Sequence, residues 1–403
     1  MARFSASFCL RMFGAGVVLA TAFSLQAPLS SRSTAAPAGK SLAFAPPKAA
    51  AGVPAAAGVM KENDFTFRLQ SVAGGAAAAP APKKNALVDK LWNEDTKLAA
   101  YISVWYLGNI YYNIYNKKAL NMLGKNGEGH WALAAIQLLV GACFVIPQWV
   151  LGVRAKPGLT LAQWKALAPI GVFNAAAHGA SVLALGAGAV SFGQIVKAGE
   201  PVHAALTGAV LLKEIDHPLV YLSLLPIIGG VALASLKELD FKLKALIFAL
   251  AANQAAAFKN VVAKKTNKEN WAKKLGPQNM YAVVTILAFL ATMPLVLFQD
   301  LPHLKGLYQG LEAAGKLKDL VKFAVFSGLN FYIYNEFSFL ALSKLSPVTH
   351  SVANTLKRVV IIVASCIVFR TPTTFLGNVG SAIAVLGTLL YSLSKKKYSG
   401  SAH

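Results

Sequence analysis

Lys357 and Arg358 stand side by side in the middle of an apolar run, Val348 to Phe369, that is long enough to cross a membrane. A charge at mid-bilayer costs about 2.5–3.5 kcal/mol by insertion measurements, so two adjacent cations there make poor filler. They make chemical sense facing a protected cavity that receives an anion. Guanidinium offers an oxyanion a planar fork of donors, and ammonium offers it a compact point charge. Lys197 sits in the same way inside a second apolar run. Together the three predict a membrane carrier for a strongly negative solute.

The surroundings of Lys197 carry a second signal. In Lys197-Ala198-Gly199-Glu200-Pro201 a helix-weakening Gly-x-Pro step stands beside a charge, which predicts a kink or break lining a cavity. Glu200 follows Lys197 by three residues, within one helical turn, so it either partners the lysine at the site or only offsets its charge. The apolar runs hold no paired carboxylates, no His-rich metal set and no nucleophile motif. That pattern argues against a membrane-embedded enzyme, and no metal or cofactor is expected.

Composition points the same way. Of 403 residues 56% are hydrophobic and only 14% charged, with a mean hydropathy of +0.52, which suits a lipid bilayer rather than water. The net charge of +23 would fit nucleic acid. Most lysines, however, lie in short connectors between apolar runs, where they mark membrane flanks, so no nucleic-acid partner is expected. Cys9, Cys143 and Cys366 have no metal or disulfide spacing; Cys143 and Cys366 read as small buried hydrophobes.

The N-terminal residues read as address rather than fold. Arg3 and Arg11 precede a short apolar stretch closed by Ala20-Thr21-Ala22, the form of a signal peptide over residues 1–22. Residues 23–85 are rich in Ala, Ser and Pro, with no acid before Glu62, and read as a transit peptide and linker. The stacked pair resembles the bipartite targeting sequence of plastids acquired by secondary endosymbiosis. An ordinary secretory leader is the alternative.

The transporter domain is placed at 86–396 and a short tail at 397–403. Ten spans are expected, near 97–117, 131–153, 164–185, 191–212, 217–236, 243–263, 278–299, 321–343, 348–369 and 375–394. The fourth carries Lys197 and the ninth Lys357 and Arg358, each entered through a tight link from its predecessor. The layout predicts an all-α membrane protein of ten transmembrane helices in two inverted five-helix repeats, with a site at their interface. Gly377, Gly380, Ser381, Ala384 and Gly387 in the last span suit close helix packing. The loop-charge rule puts both termini on the cytosol-like side.

The residues now reach a known family. Val190-Ser191-Phe192-Gly193-Gln194-Ile195-Val196-Lys197-Ala198-Gly199-Glu200-Pro201 resembles the fourth span of the plastid phosphate translocators, V-S-F-T-H-x-I-K-x-x-E-P. Ser346-Pro347-Val348-Thr349-His350, continuing to Lys357-Arg358-Val359, is similar to their ninth span. Tyr334-Asn335-Glu336 looks like their Y-N-Q, and Asn116-Lys117-Lys118 like their N-K-K. The chain is thus similar, over about residues 98–396, to the triose-phosphate/phosphate translocator family of the drug/metabolite transporter superfamily.

That resemblance implies ten helices and exchange of inorganic phosphate for phosphorylated sugars or organic acids across a plastid envelope membrane. It implies substrate contacts at Lys197, Lys357, Arg358, Tyr334, His178, Ser181 and Lys259. Two departures stand out: Ala256 where the family has a large ring, and Gly193-Gln194 where it has Thr-His. His178 and Ser181 favour triose phosphate and 3-phosphoglycerate. Phosphoenolpyruvate is expected to be accepted less well, and glucose 6-phosphate poorly unless Ala256 opens the pocket. The alternatives are a phosphoenolpyruvate or hexose/pentose-phosphate antiporter of the same family, or a nucleotide-sugar carrier of the same superfamily.

Read without the family, several of these residues have a plainer role. His178 suits an interhelical hydrogen bond, Tyr334 suits packing, and Asn109, Asn113 and Asn116 suit either a pore lining or helix pairing. Electrostatics favours exchange over one-way flow. Cations gathered in a low dielectric repel one another, and a bound phosphate of about −1.5 to −2 neutralises them. Reorientation is then expected only when the site is loaded.

Overall fold

Thirteen α-helices account for nearly all of what the computed structural model describes, namely residues 94–123, 127–236, 238, 241–345 and 347–399, and no strand occurs among them. The expected signal peptide, the transit segment with its linker, and residues 86–93 and 400–403 lie outside the described residues. In chain order the first half holds α1 (Glu94–Leu123), α2 (His130–Val150), α3 (Leu161–Ala187), α4 (Val190–Lys197), α5 (Glu200–Leu212), α6 (Pro218–Leu222) and α7 (Leu225–Leu236). The second holds α8 (Leu243–Thr266), α9 (Asn270–Leu295), α10 (Leu301–Ala313), α11 (Leu317–Lys344), α12 (Pro347–Phe369) and α13 (Phe375–Ser399). The last helix continues into the expected tail as far as Ser399.

Local chemistry explains the boundaries. Thr160 starts α3 with a capping box: its hydroxyl accepts from the Gln163 backbone, and the Gln163 side chain accepts from the Thr160 N–H at 2.9 Å. Gly276 adopts φ 76 just before Pro277, so the segment at the start of α9 is kinked away from the membrane helix that follows. After α9 comes a π-turn, Val296–Asp300, whose Asp300 is 1% exposed and accepts from the Ala132 N–H at the start of α2, 2.6 Å away. That carboxylate satisfies one of the N–H groups a helix start leaves open.

Among the described residues, eight stretches are long and apolar enough to cross a membrane: α2, α3, α4 with α5, α6 with α7, α8, α9 running into α10, α12 and α13. The two expected spans not among them correspond to α1 and α11, which are long enough at 30 and 28 residues but more polar. The helix pairings repeat between the halves. α1 packs on α11 as α8 packs on α3, α2 on α11 as α9 on α3, and α4 with α5 on α8 as α12 on α1. The pairs α7 with α13, α2 with α9, and α4 with α12 each join corresponding elements of the two halves. Exchanging the halves therefore leaves the packing scheme unchanged.

The small residues do the work expected of them where α7 crosses α13. A methyl group on Gly230 would lie 2.4 Å from the Ala384 nitrogen, and one on Gly380 would lie 2.6 Å from the Ala234 nitrogen. Backbones can approach this closely only without side chains. Of the cysteines, Cys366 is buried, whereas Cys143 is exposed on the outer face of α2.

Candidate substrate site

α4 ends at Lys197 and α5 begins at Glu200, so the helix breaks at Ala198-Gly199, where the Gly-x-Pro step stands. The break sets each charge against a favourable dipole. Lys197 occupies the last turn of α4, at the negative end of that helix, and Glu200 the first turn of α5, at the positive end. Pro201 lacks the N–H that a helix start leaves unpaired. From α8, buried Asn253 donates to the Val196 carbonyl at 2.9 Å, bracing the turn that carries Lys197.

α12 runs unbroken from Pro347 to Phe369 and presents Lys357 and Arg358 midway. Arg358 is only 6% exposed, and its guanidinium donates to a Glu200 carboxylate oxygen at 2.7 Å. Glu200 therefore pairs across the interface between the halves, not with Lys197 one turn away; the break in the helix removes the geometry that an i, i+3 pair needs. Lys357 points elsewhere. Its Nζ lies 5.1 Å from the Trp105 ring centre and 5.9 Å from that of Tyr334, within cation–π range of both.

Lys197 is within electrostatic reach of Arg358, Glu200 and Lys259, and Lys357 of Arg358, Glu200 and Lys197. The bundle thus gathers four cations from α4, α8 and α12 around one carboxylate. Tyr334 of α11 adjoins them through Lys357, with its ring packed 5.6 Å from Tyr112 of α1 and 5.7 Å from Phe331. His178 of α3 is buried with its ring 4.1 Å from that of Phe331, its Nε2 has no hydrogen-bond partner, and it is within electrostatic reach of Lys197. Lys259 of α8 lies 3.5 Å from the Asn174 side-chain oxygen of α3. Ser181, one turn on from His178 along the same helix, donates its hydroxyl proton back to the Ala177 carbonyl of its own helix at 2.7 Å.

Other polar residues of the spans hold helices together. Asn113 accepts from Gln194 at 3.1 Å and Asn116 from Gln137 at 3.0 Å, tying α1 to α4 and α2. Gln194, one of the two departures from the family pattern, is therefore a helix-to-helix donor. Lys117 ties the end of α1 to the link between α3 and α4, donating to the Leu185 and Gly188 carbonyls at 2.7 and 2.8 Å. His350 stacks on Trp105 with centroids 4.8 Å apart and lies 3.3 Å from the Ser338 hydroxyl. Residue spacing alone did not reveal Trp105, Asn174 or Asn253, since Trp105 is one of many aromatics in its span and the two amides follow no period of their own.

A set of cations from both halves, buried between apolar helices and braced by aromatic rings, can bind and screen a multivalent anion. Known proteins are similar to this chain in sequence. The family model of the Triose-phosphate Transporter family matches residues 96–392. A glucose-6-phosphate/phosphate translocator of Arabidopsis thaliana is 35% identical over 323 residues, 80% of each chain. A phosphoenolpyruvate/phosphate translocator of Oryza sativa is 37% identical over 80% of each chain. A triose phosphate/phosphate translocator of Brassica oleracea is 32% identical over 74% of this chain and 73% of its own. The match spans both halves of the bundle and every cation of the cluster, so this all-α membrane protein belongs to the Triose-phosphate Transporter family.

Proposed function

We propose that the chain is a strict antiporter that exchanges inorganic phosphate for a phosphorylated three-carbon compound across a plastid envelope membrane. The observation that carries this reading is the cross-half cluster, in which Lys197 of the first half and Lys259, Lys357 and Arg358 of the second share the surroundings of Glu200. Lys197, Lys357 and Arg358 take the phosphate, whose charge offsets them and lets the halves move past each other. With four cations and one carboxylate, the empty site keeps a large positive excess in low dielectric, which opposes reorientation.

Tyr334, His178, Ser181 and Lys259 line the path of the carbon portion in this account. Triose phosphate and 3-phosphoglycerate are the preferred counter-substrates, because a histidine at 178 and a hydroxyl at 181 suit short, oxygen-rich chains. α1 and α11 complete ten spans. Asn113, Asn116 and Ser327 point into the bundle, where they find partners, so lipid does not meet them. The relatives' chloroplast designation and the acid-poor leader support the plastid location.

Liposomes holding the purified carrier and internal phosphate should take up labelled phosphate, and dihydroxyacetone phosphate should compete better than glucose 6-phosphate. Stronger competition by glucose 6-phosphate would assign the carrier to hexose phosphate, through the space left at Ala256.

A further inference from the structure

Asn174 lies on α3 one turn before His178 and two before Ser181, so the three share a helix face. It is 8% exposed, and its amide nitrogen has no hydrogen-bond partner. Among the described residues it is the one buried amide nitrogen in that state. The corresponding nitrogens of Asn113, Asn116, Gln137, Gln194 and Asn253 all find acceptors. His178 Nε2, four residues on, is likewise buried and unpartnered. Across from them stands Lys259, whose Nζ lies 3.5 Å from the Asn174 carbonyl oxygen.

A buried donor without an acceptor destabilises a fold, so an apolar residue at 174 would serve packing better. That donor and the unpartnered His178 Nε2 on the same face, beside a buried lysine, form a polar recess in an otherwise apolar wall. The recess has donors to offer, from the amide N–H and the ammonium, so its complement is an acceptor-rich group. Inorganic phosphate held by Lys197, Lys357 and Arg358 has no second end to place there. A phosphorylated carboxylic acid does.

Resting on the antiport reading above, we propose that Asn174 is a specificity-determining residue. With Lys259 it receives the carboxylate or other oxygens at the carbon end of a substrate whose phosphate sits on the Lys197, Lys357 and Arg358 cations. The amide N–H fills its vacancy only with an organic phosphate, so it separates such substrates from phosphate itself.

The test is labelled-phosphate exchange in proteoliposomes carrying Asn174→Leu or Asn174→Ala, with 3-phosphoglycerate as competitor. The ratio of the 3-phosphoglycerate inhibition constant to the phosphate KM should rise at least about tenfold, the loss expected of one hydrogen bond to an ionised acceptor. An unchanged ratio, with both constants still or both raised alike, would overturn the assignment. Loss of all exchange in both variants, with the unaltered carrier active, would mark Asn174 as structural and overturn it equally. No phosphate exchange by the unaltered carrier would overturn the antiport reading, and this inference with it.

Discussion

Arg358 in the middle of α12 and Glu200 at the first turn of α5 meet at 2.7 Å, joining the two halves of the bundle at the break in the fourth span. The pair gives Arg358 an internal anion in a place where a lone guanidinium would be costly. It also sets up a competition, since an incoming phosphate seeks the same guanidinium.

Replacing Glu200 with Gln removes that internal anion and leaves Arg358 buried without its counter-charge. Breaking a buried pair from one side costs about 3–5 kcal/mol, and the partial exposure of Glu200 places this case at the low end. The substrate-free Glu200→Gln carrier should therefore melt at lower temperature, and added phosphate should raise its Tm by more than it raises that of the unaltered protein. Equal phosphate-induced shifts in the two proteins would show that Glu200 and phosphate do not share Arg358.

Lys357 and Arg358 should each be indispensable. Changing either to Ala removes a charge-assisted contact of about 1.5–3 kcal/mol and should abolish measurable phosphate exchange while leaving the protein in the membrane. Lys357→Arg should fail too, since a planar fork between Trp105 and Tyr334 does not reproduce a point charge. Near-normal exchange by Lys357→Ala would remove the basis of the site.

Asn253 acts through Lys197. Asn253→Leu takes the donor from the Val196 carbonyl beside the helix break, and Lys197 should lose its fixed position. Exchange should slow several-fold, with phosphate KM rising alongside, for an expected loss of about 1–3 kcal/mol. A variant that only melts earlier, with its kinetic constants intact, would confine Asn253 to stability.

The α7–α13 crossing should tolerate no side chain. Gly230→Ala places a methyl group 2.4 Å from the Ala384 backbone nitrogen, where no flexible group can yield. Detergent-solubilised Gly230→Ala should be clearly less stable than the unaltered protein, whereas Gly229→Ala, which meets open space, should not differ. Matching melting curves for both would contradict the close packing.

Much of this architecture was legible in the chain. Mid-span cations at Lys197, Lys357 and Arg358, the Gly-x-Pro step and the small residues of the last span each carry a direct physical meaning in a bilayer, and all reappear at the α4–α5 break, the cation cluster or the α7–α13 crossing. The partner of Glu200 was not legible, because sequence spacing presumes an unbroken helix and the break turns Glu200 toward the other half. Nor was α10, which at 13 residues is too short to be read as a span and lies between two expected ones. The polarity of α1 and α11 blurs their apolar signal: residues such as Asn113, Asn116 and Ser327 face other helices. Asn174 gave no warning at all, being one amide in a run of alanines.

Coupling is the central claim, and uptake of labelled phosphate by proteoliposomes with and without internal phosphate tests it most directly. The account predicts rapid uptake into phosphate-loaded vesicles and almost none into vesicles without a counter-anion. Uptake at the full exchange rate into empty vesicles would contradict it.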